Sequence, residues 1–220
     1  MGELLSKLLP LSLGAAISPT VLAVVLVVLS GRRAVARGGA YLAGVLVVLA
    51  GLTALGLYGV RRAAPSATTT EIEHVIDGVA GVLLLLLALG TVLRTAARAP
   101  SSPVQDTPAP PDPRPGLGGA FLLGLAMMAS NFSTILLYLP AMHLISTSSV
   151  PNSDKVLAVA LAFVITSLPA TVPFVFRVAA PTTASRVFGG LHEFITRHQR
   201  QIGVALEVIF GVYLVVRAIG

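Results

Sequence analysis

The sequence contains no cysteine and no tryptophan. The first absence excludes disulfide staples, thiolate metal sites and a thiol–disulfide relay through a membrane. The second leaves any aromatic belt at a membrane surface to Tyr41, Tyr58, Tyr138, Tyr213 and a few phenylalanines. Charge is also scarce. Asp, Glu, Lys and Arg make up 11% of the chain, against about 25% in a soluble domain. No glycine-rich phosphate loop is present, so the chain itself cannot spend ATP. No clustered histidine motif and no catalytic dyad lies within an apolar run. The expectation is therefore a protein that is not an enzyme and carries no cofactor.

What the chain has instead is apolar length. Its 220 residues are 55% hydrophobic, in runs that exceed the roughly 18 residues needed to cross a bilayer. Six spans are predicted: Leu4 to Ser30, Ala40 to Val60, Ile72 to Thr95, Leu117 to Ile145, Lys155 to Val178 and Gln201 to Ile219. The first has a weakly charged start and a long, interrupted apolar run, so it reads as a retained helix rather than a cleaved leader. Pro181 to Thr196 reads as a polar, amphipathic connection. Between the third and fourth spans, Ala99 to Gly116 holds Pro100, Pro103, Pro108, Pro110, Pro111, Pro113 and Pro115. Such a stretch favours extended conformations and serves as a linker, with docking of a proline-reading partner as the lesser option. The chain thus divides into a three-helix unit (1–98), a linker (99–116) and a second three-helix unit (117–220). An odd number of spans per half makes any internal repeat an inverted one.

The net charge of +6 does not point to nucleic acid, because the basic residues sit in short loops. Arg32, Arg33, Arg37, Arg94, Arg98, Arg114, Arg177, Arg186, Arg197 and Arg200 fall after spans one, three and five; Lys7, Arg61, Arg62, Lys155 and Arg217 fall on the other side. The positive-inside bias places the linker in the cytoplasm and both termini outside.

Two polar interruptions occupy matching places in the two halves. Gly14-Ala-Ala-Ile-Ser-Pro-Thr20 breaks the first span, and Ser130-Asn131-Phe132-Ser133-Thr134 breaks the fourth. A proline removes one helical hydrogen bond, and hydrocarbon offers no water to replace it. Such breaks are tolerated where protein or a wet cavity supplies partners, and paired breaks point to a transporter's central site. Ser18, Pro19, Thr20, Asn131, Ser133 and Thr134 are the substrate-site candidates; simple hydrogen bonding between helices is the alternative. In the fifth span, Thr166-Ser167-Leu168-Pro169-Ala170-Thr171-Val172-Pro173 should kink or unwind. That makes Pro169 and Pro173 a candidate hinge or second cavity wall, against a passive kink. Glu207 is the acidic residue near the centre of a predicted span, a candidate for proton coupling or a substrate amine, or else a protonated group bonded to a neighbouring hydroxyl. Glu73, His74 and Asp77 are weak metal candidates; a capping box from Thr70 to Glu73 explains the acids better. His143, His192 and His198 are spread along the chain as interface or loop residues. Gly116, Ala120 and Gly124, with Ala40 and Gly44, form small-residue stripes suited to close helix packing and compatible with a homodimer.

Ile17-Ser18-Pro19-Thr20, Gly31-Arg32-Arg33-Ala34, Ala40-Tyr41-Leu42-Ala43-Gly44 and Ser130-Asn131-Phe132-Ser133 together resemble the LysE superfamily of six-span exporters. Over nearly the whole chain the closer resemblance is to its GAP branch, named for glycopeptidolipid addressing. The superfamily's amino-acid exporters usually carry Pro-Gly-Pro in the first span and Asn-Pro-Lys in the fourth. Pro19 and Asn131 match those motifs, while the second proline of the first and the Pro-Lys of the second are replaced. The missing lysine argues against an amino-acid carboxylate site. The resemblance implies export or flipping of a cell-envelope lipid, glycolipid or precursor across the cytoplasmic membrane, with membrane lipids and envelope-biosynthesis or export proteins as partners. Two other classes stay open: an exporter of amino acids or small cations, and a non-transporting scaffold of envelope biosynthesis.

Overall fold

The computed structural model describes residues 1–30, 33–59, 69–96 and 116–219, and every regular element among them is helical. The proline-rich linker falls outside the described residues. The first half contains α1 (Gly2–Ala16), α2 (Pro19–Val28), α3 (Ala34–Ala54, continued by a π-helical turn Leu55–Gly59) and α4 (Thr69–Ala96). The second contains α5 (Leu117–Ala129), α6 (Phe132–Thr147), α7 (Asn152–Ala179) and α8 (Pro181–Ile219).

Four of these helices are long and apolar enough to cross a membrane, and six spans result if each bent pair counts as one. The pairs are α1 with α2, bent by 49°, and α5 with α6, bent by 69°. The exposed apolar side chains on the long helices, such as Val79, Leu86, Val164 and Ile209, are what a lipid-facing surface requires. The chain is a multi-pass membrane protein.

Packing is tightest where side chains are smallest. The largest helix contacts join α4 to α8 and α3 to α5. A Cβ on Gly124 would run into the Tyr41 carbonyl oxygen, and one on Gly44 into the Phe121 carbonyl oxygen. The small-residue stripes of α3 and α5 therefore let two backbones touch. Gly81 and Gly211 do the same between α4 and α8, where a Cβ on Gly81 would lie 2.9 Å from the Gly211 oxygen. Near the far end of that pair, Arg217 Nε meets Asp77 Oδ2 at 3.0 Å and His74 Nδ1 lies 2.7 Å from the Ala218 oxygen. Elsewhere α1 packs on α6 and α7, α3 on α7, α2 on α8, and α4 on α6.

Three expectations change. Residues 181–196 are not a separate connection but the start of one 39-residue helix. Its length of about 58 Å exceeds a hydrocarbon core of about 30 Å. Ala184, Phe188 and Ile195, on one face, are buried, and Phe188 meets Phe176 of α7 edge-on at 6.0 Å. Second, Pro169 and Pro173 do not unwind the fifth span: α7 runs unbroken from Asn152 to Ala179. The Ser167 hydroxyl bonds back to the Val164 carbonyl at 2.9 Å, and Pro173 is buried against the bundle. Third, Arg37 is not a loop charge. It lies in α3 with its side chain buried, and its Nη2 donates at 3.2 Å to both the Val28 and Ser30 carbonyls. It thereby caps the C-terminal end of α2, where orphan carbonyls and the helix dipole favour a cation.

Candidate functional site

The two breaks have the same construction. Each is two residues long, Ile17-Ser18 between α1 and α2 and Ser130-Asn131 between α5 and α6. In each, the second residue is the N-cap of the following helix. The Ser18 oxygen accepts from the Val21 amide at 3.4 Å, and the Asn131 Oδ1 accepts from the Thr134 amide at 3.4 Å. Pro19 follows at the first helical position, where its missing N–H costs nothing because that donor has no helical partner in any case. The proline thus starts α2 rather than kinking a continuous helix. Ahead of each break the chain closes its own carbonyls: the Ile17 amide bonds Leu13 O and Gly14 O, and the Ser130 amide bonds Ala126 O.

The two N-caps also touch. Asn131 Nδ2 donates to Ser18 Oγ at 2.8 Å, across 113 positions of sequence. Thr134 Oγ1 donates to the Ala15 carbonyl at 2.9 Å, satisfying a backbone acceptor that the first break leaves open. Ser133 Oγ donates to Asn131 Oδ1 at 3.1 Å. Four of the six candidate positions, Ser18, Asn131, Ser133 and Thr134, thus form one bonded cluster, and Pro19 and Thr20 join it as lining residues of the space beside it.

That space consists of two adjoining cavities. One, of about 80 Å³, is lined by Gly14, Ser18, Pro19, Thr20, Asn131 and Ser133, together with Leu84 of α4 and Gln199, Gly203, Leu206 and Glu207 of α8. The other, of about 210 Å³, shares Thr20, Asn131, Ser133 and Glu207 and extends to Leu87, Met127 and the exposed Phe132. Leu84 lies midway along the apolar stretch His74–Leu93, so the site sits at the middle of the spans. Glu207 therefore joins the cluster that the breaks create. Its Oε2 is buried and has no hydrogen-bond partner, so a bond to a hydroxyl on a neighbouring helix does not hold that oxygen. Phe210, one turn further along α8, covers Gly14 so closely that its ring would lie 2.6 Å from a Cβ there.

Other candidates are placed differently. No residue of α7 lines either cavity, so Pro169 and Pro173 are not their wall; α4 and α8 supply it. Asp77 is paired with Arg217 and His74 faces the Ala218 carbonyl, while the side chain of Glu73, and with it the capping box, lies outside the described residues. Among the described residues no group of three or more His, Cys, Asp or Glu is gathered for a metal. His143 is buried in α6, and His192 and His198 lie on α8. The walls from Leu84, Gln199 and Gly203 went unnoticed in the sequence; their signal is the helical spacing of Gln199, Gly203 and Glu207, which places them on one stripe.

Fold and site together define a multi-pass α-helical membrane protein whose two broken helices meet at a small polar cavity in the middle of the bundle. The profile of one known family, described as Sap, sulfolipid-1-addressing protein, matches residues 8–220, and the chain belongs to that family. No curated protein and no solved structure matches it.

Proposed function

We propose that the chain exports or flips a lipid or glycolipid of the cell envelope across the cytoplasmic membrane, with the paired breaks as the substrate path. The observation that carries this is the bond between Asn131 and Ser18, which joins the caps of two broken helices beside a cavity that also receives Glu207. Lipid addressing in the family's description supports the class of cargo. The resemblance to the GAP branch of the LysE superfamily supports it too.

The same reading takes the molecule as two inverted three-span halves. Equating α1 with α5, α2 with α6, α3 with α7 and α4 with α8 carries the packing of α2 on α8 onto that of α6 on α4. It also carries α3 on α5 onto α7 on α1, and it leaves the α3–α7 and α4–α8 pairs unchanged. With the linker in the cytoplasm and both termini outside, the site lies at the interface of the halves, where alternating access needs it. Glu207, the acid at that interface, is the proton-coupling group. Pro169 and Pro173 are the hinge, since each removes a backbone hydrogen bond from a helix that borders both halves. Lipids are partners throughout; catalysis and a bound cofactor play no part.

The test is a deletion strain complemented with wild type, Pro19→Ala or Asn131→Ala, with surface-extractable and total lipids measured beside intracellular amino acids. A lipid retained in the cell but lost from the surface, and restored by wild type alone, supports the reading. Accumulated amino acids with unchanged lipids would refute it in favour of an amino-acid exporter. If neither pool moves, the role is that of a scaffold.

A further inference from the structure

A separate cavity of about 380 Å³ opens where α3 and α6 end and α7 begins. It shares no lining residue with the cavities at the breaks. Polarity falls in the same direction on each of its walls. The π-helical turn supplies Tyr58 near the end of its helix and Leu57 one residue deeper. The last turn of α6 supplies Ser146 and, one residue deeper, Ile145. The first turn of α7 supplies Asn152 and Lys155, and the next residues inward are Val156 and Val159. Three elements thus set polar groups at the rim and apolar ones toward the middle of the spans, which is the gradient of a bilayer surface. Val156 is 70% exposed, so the cavity opens toward the lipid-facing side of α7.

Charge at the rim comes from Lys155. Its Nζ donates to the Ser146 carbonyl at 3.1 Å, which leaves two N–H groups for another acceptor. The N-terminal end of α7 adds positive potential, about half a charge. The C-terminal ends of α3 and α6 work against an anion, but the carbonyls of α6 are already covered. Leu144 O accepts from the Ser148 amide at 3.1 Å, Ile145 O from the Ser148 hydroxyl at 2.7 Å, and Ser146 O from Lys155. Asp154, in the same turn as Lys155, does not line the cavity. A cation would meet the ammonium group of Lys155. A wholly apolar molecule would leave its N–H groups unpaired beneath it. A zwitterionic head would bring a cation along with its phosphate. An anionic amphiphile satisfies the rim and the apolar wall together, and the glycerophospholipids of the bilayer carry their phosphate at this depth.

We infer that this cavity holds an anionic phospholipid of the surrounding bilayer, with its phosphate on Lys155, Asn152 and Tyr58 as further donors, and its first acyl carbons along Val156 and Val159. Leu57 and Tyr58 belong to the first half of the chain and the other walls to the second, so the lipid joins the two halves. It is a resident of the assembly and not its cargo, and the site does not depend on the reading of the breaks as a substrate path.

The full chain, purified in a neutral detergent, is titrated with short-chain phosphatidylglycerol or with phosphatidylcholine of the same acyl length. Bound lipid is counted by native mass spectrometry, and thermal unfolding is followed on the same samples. Wild type should bind phosphatidylglycerol about fivefold more tightly than phosphatidylcholine, the contribution of one lysine near a membrane surface, and unfold at a higher temperature with it. Lys155→Gln should erase that preference, and Lys155→Arg should restore it. Lys155→Gln also loses the bond to Ser146. Should it fail to fold, Tyr58→Phe and Val156→Ser, at exposed positions, carry the test, and each should weaken phosphatidylglycerol binding a fewfold. Arg197→Gln, on α8 and outside the cavity, should leave the preference intact. Equal binding of the two lipids by wild type would overturn the inference. So would equal losses in Lys155→Gln and Arg197→Gln, which would mark diffuse charge, and so would displacement of the lipid by an equal concentration of glycerol phosphate, which would mark a site for a free anion.

Discussion

The bond between the two N-caps can be weighed directly. Asn131→Ala removes the contact to Ser18 at 2.8 Å and the cap on the Thr134 amide at 3.4 Å. An N-cap is worth about 1 kcal/mol, and an interhelical hydrogen bond in a membrane protein averages about 0.6 kcal/mol, with a maximum near 1.7. The expected loss is therefore about 2 kcal/mol. Ser18→Ala likewise removes a cap, on Val21, together with the same interhelical bond. In the double variant both caps are gone, but the shared bond is lost only once. The cycle should show a coupling of about 0.6 to 1.7 kcal/mol, measured by denaturant titration of the purified protein in mixed micelles. Sites without contact add to within about 0.3 kcal/mol. Additivity at that level would mean that the breaks are not joined by this bond and do not form a shared site through it. Asn131→Asp keeps the cap but forfeits the donated bond and sets a second carboxylate near Glu207, so it should cost more than Asn131→Ser.

Other expectations follow from the packing. Gly124→Val should prevent α3 and α5 from touching and abolish folded protein in a size-exclusion assay, whereas Gly118→Ala, with nothing within 4 Å of its Cβ, should be neutral or slightly stabilising. Arg217→Gln should remove the ion pair to Asp77, whose side chain is 5% exposed. It should destabilise the protein in the same titration by at most about 3 kcal/mol, with partial recovery in the Arg217→Asp, Asp77→Arg exchange. Arg37→Leu should free the Val28 and Ser30 carbonyls of their buried donor and destabilise by about 2 kcal/mol, read as faster hydrogen exchange at the C-terminal end of α2.

The spans were legible because the bilayer imposes a length: about 18 apolar residues in a row are rare in a chain that does not cross one. The breaks were legible for a related reason, since polar residues and proline interrupt such a run only where partners await them. The shape of α8 was not. Arg186, Glu193, Arg197 and Arg200 lower the hydropathy of residues 181–200 and make them read as a connection. Yet the buried stripe Ala184, Phe188 and Ile195 has helical spacing and continues into the sixth span. Periodicity carried the information there and hydropathy concealed it. In the fifth span the local signal was too strong rather than too weak. A proline removes one hydrogen bond per site, and tertiary packing keeps α7 continuous through two of them.

The site itself was half legible, and the missing half is the more instructive. Ser18 and Asn131 declare themselves locally, because each begins a helix and each has a side chain suited to capping one. Their meeting could be suspected only from the matching position of the two breaks in the two halves. Glu207 declares itself only as an expense, an acid in an apolar run. What it faces depends on which stripe of α8 turns inward, and Phe210 closing over Gly14 marks that stripe. Small walls that carry donors and acceptors, and one acid with a buried, unpartnered oxygen, meet where the two breaks join. That meeting, more than any single residue, is what the proposed substrate path rests on, in place of a plain joint between two bent helices.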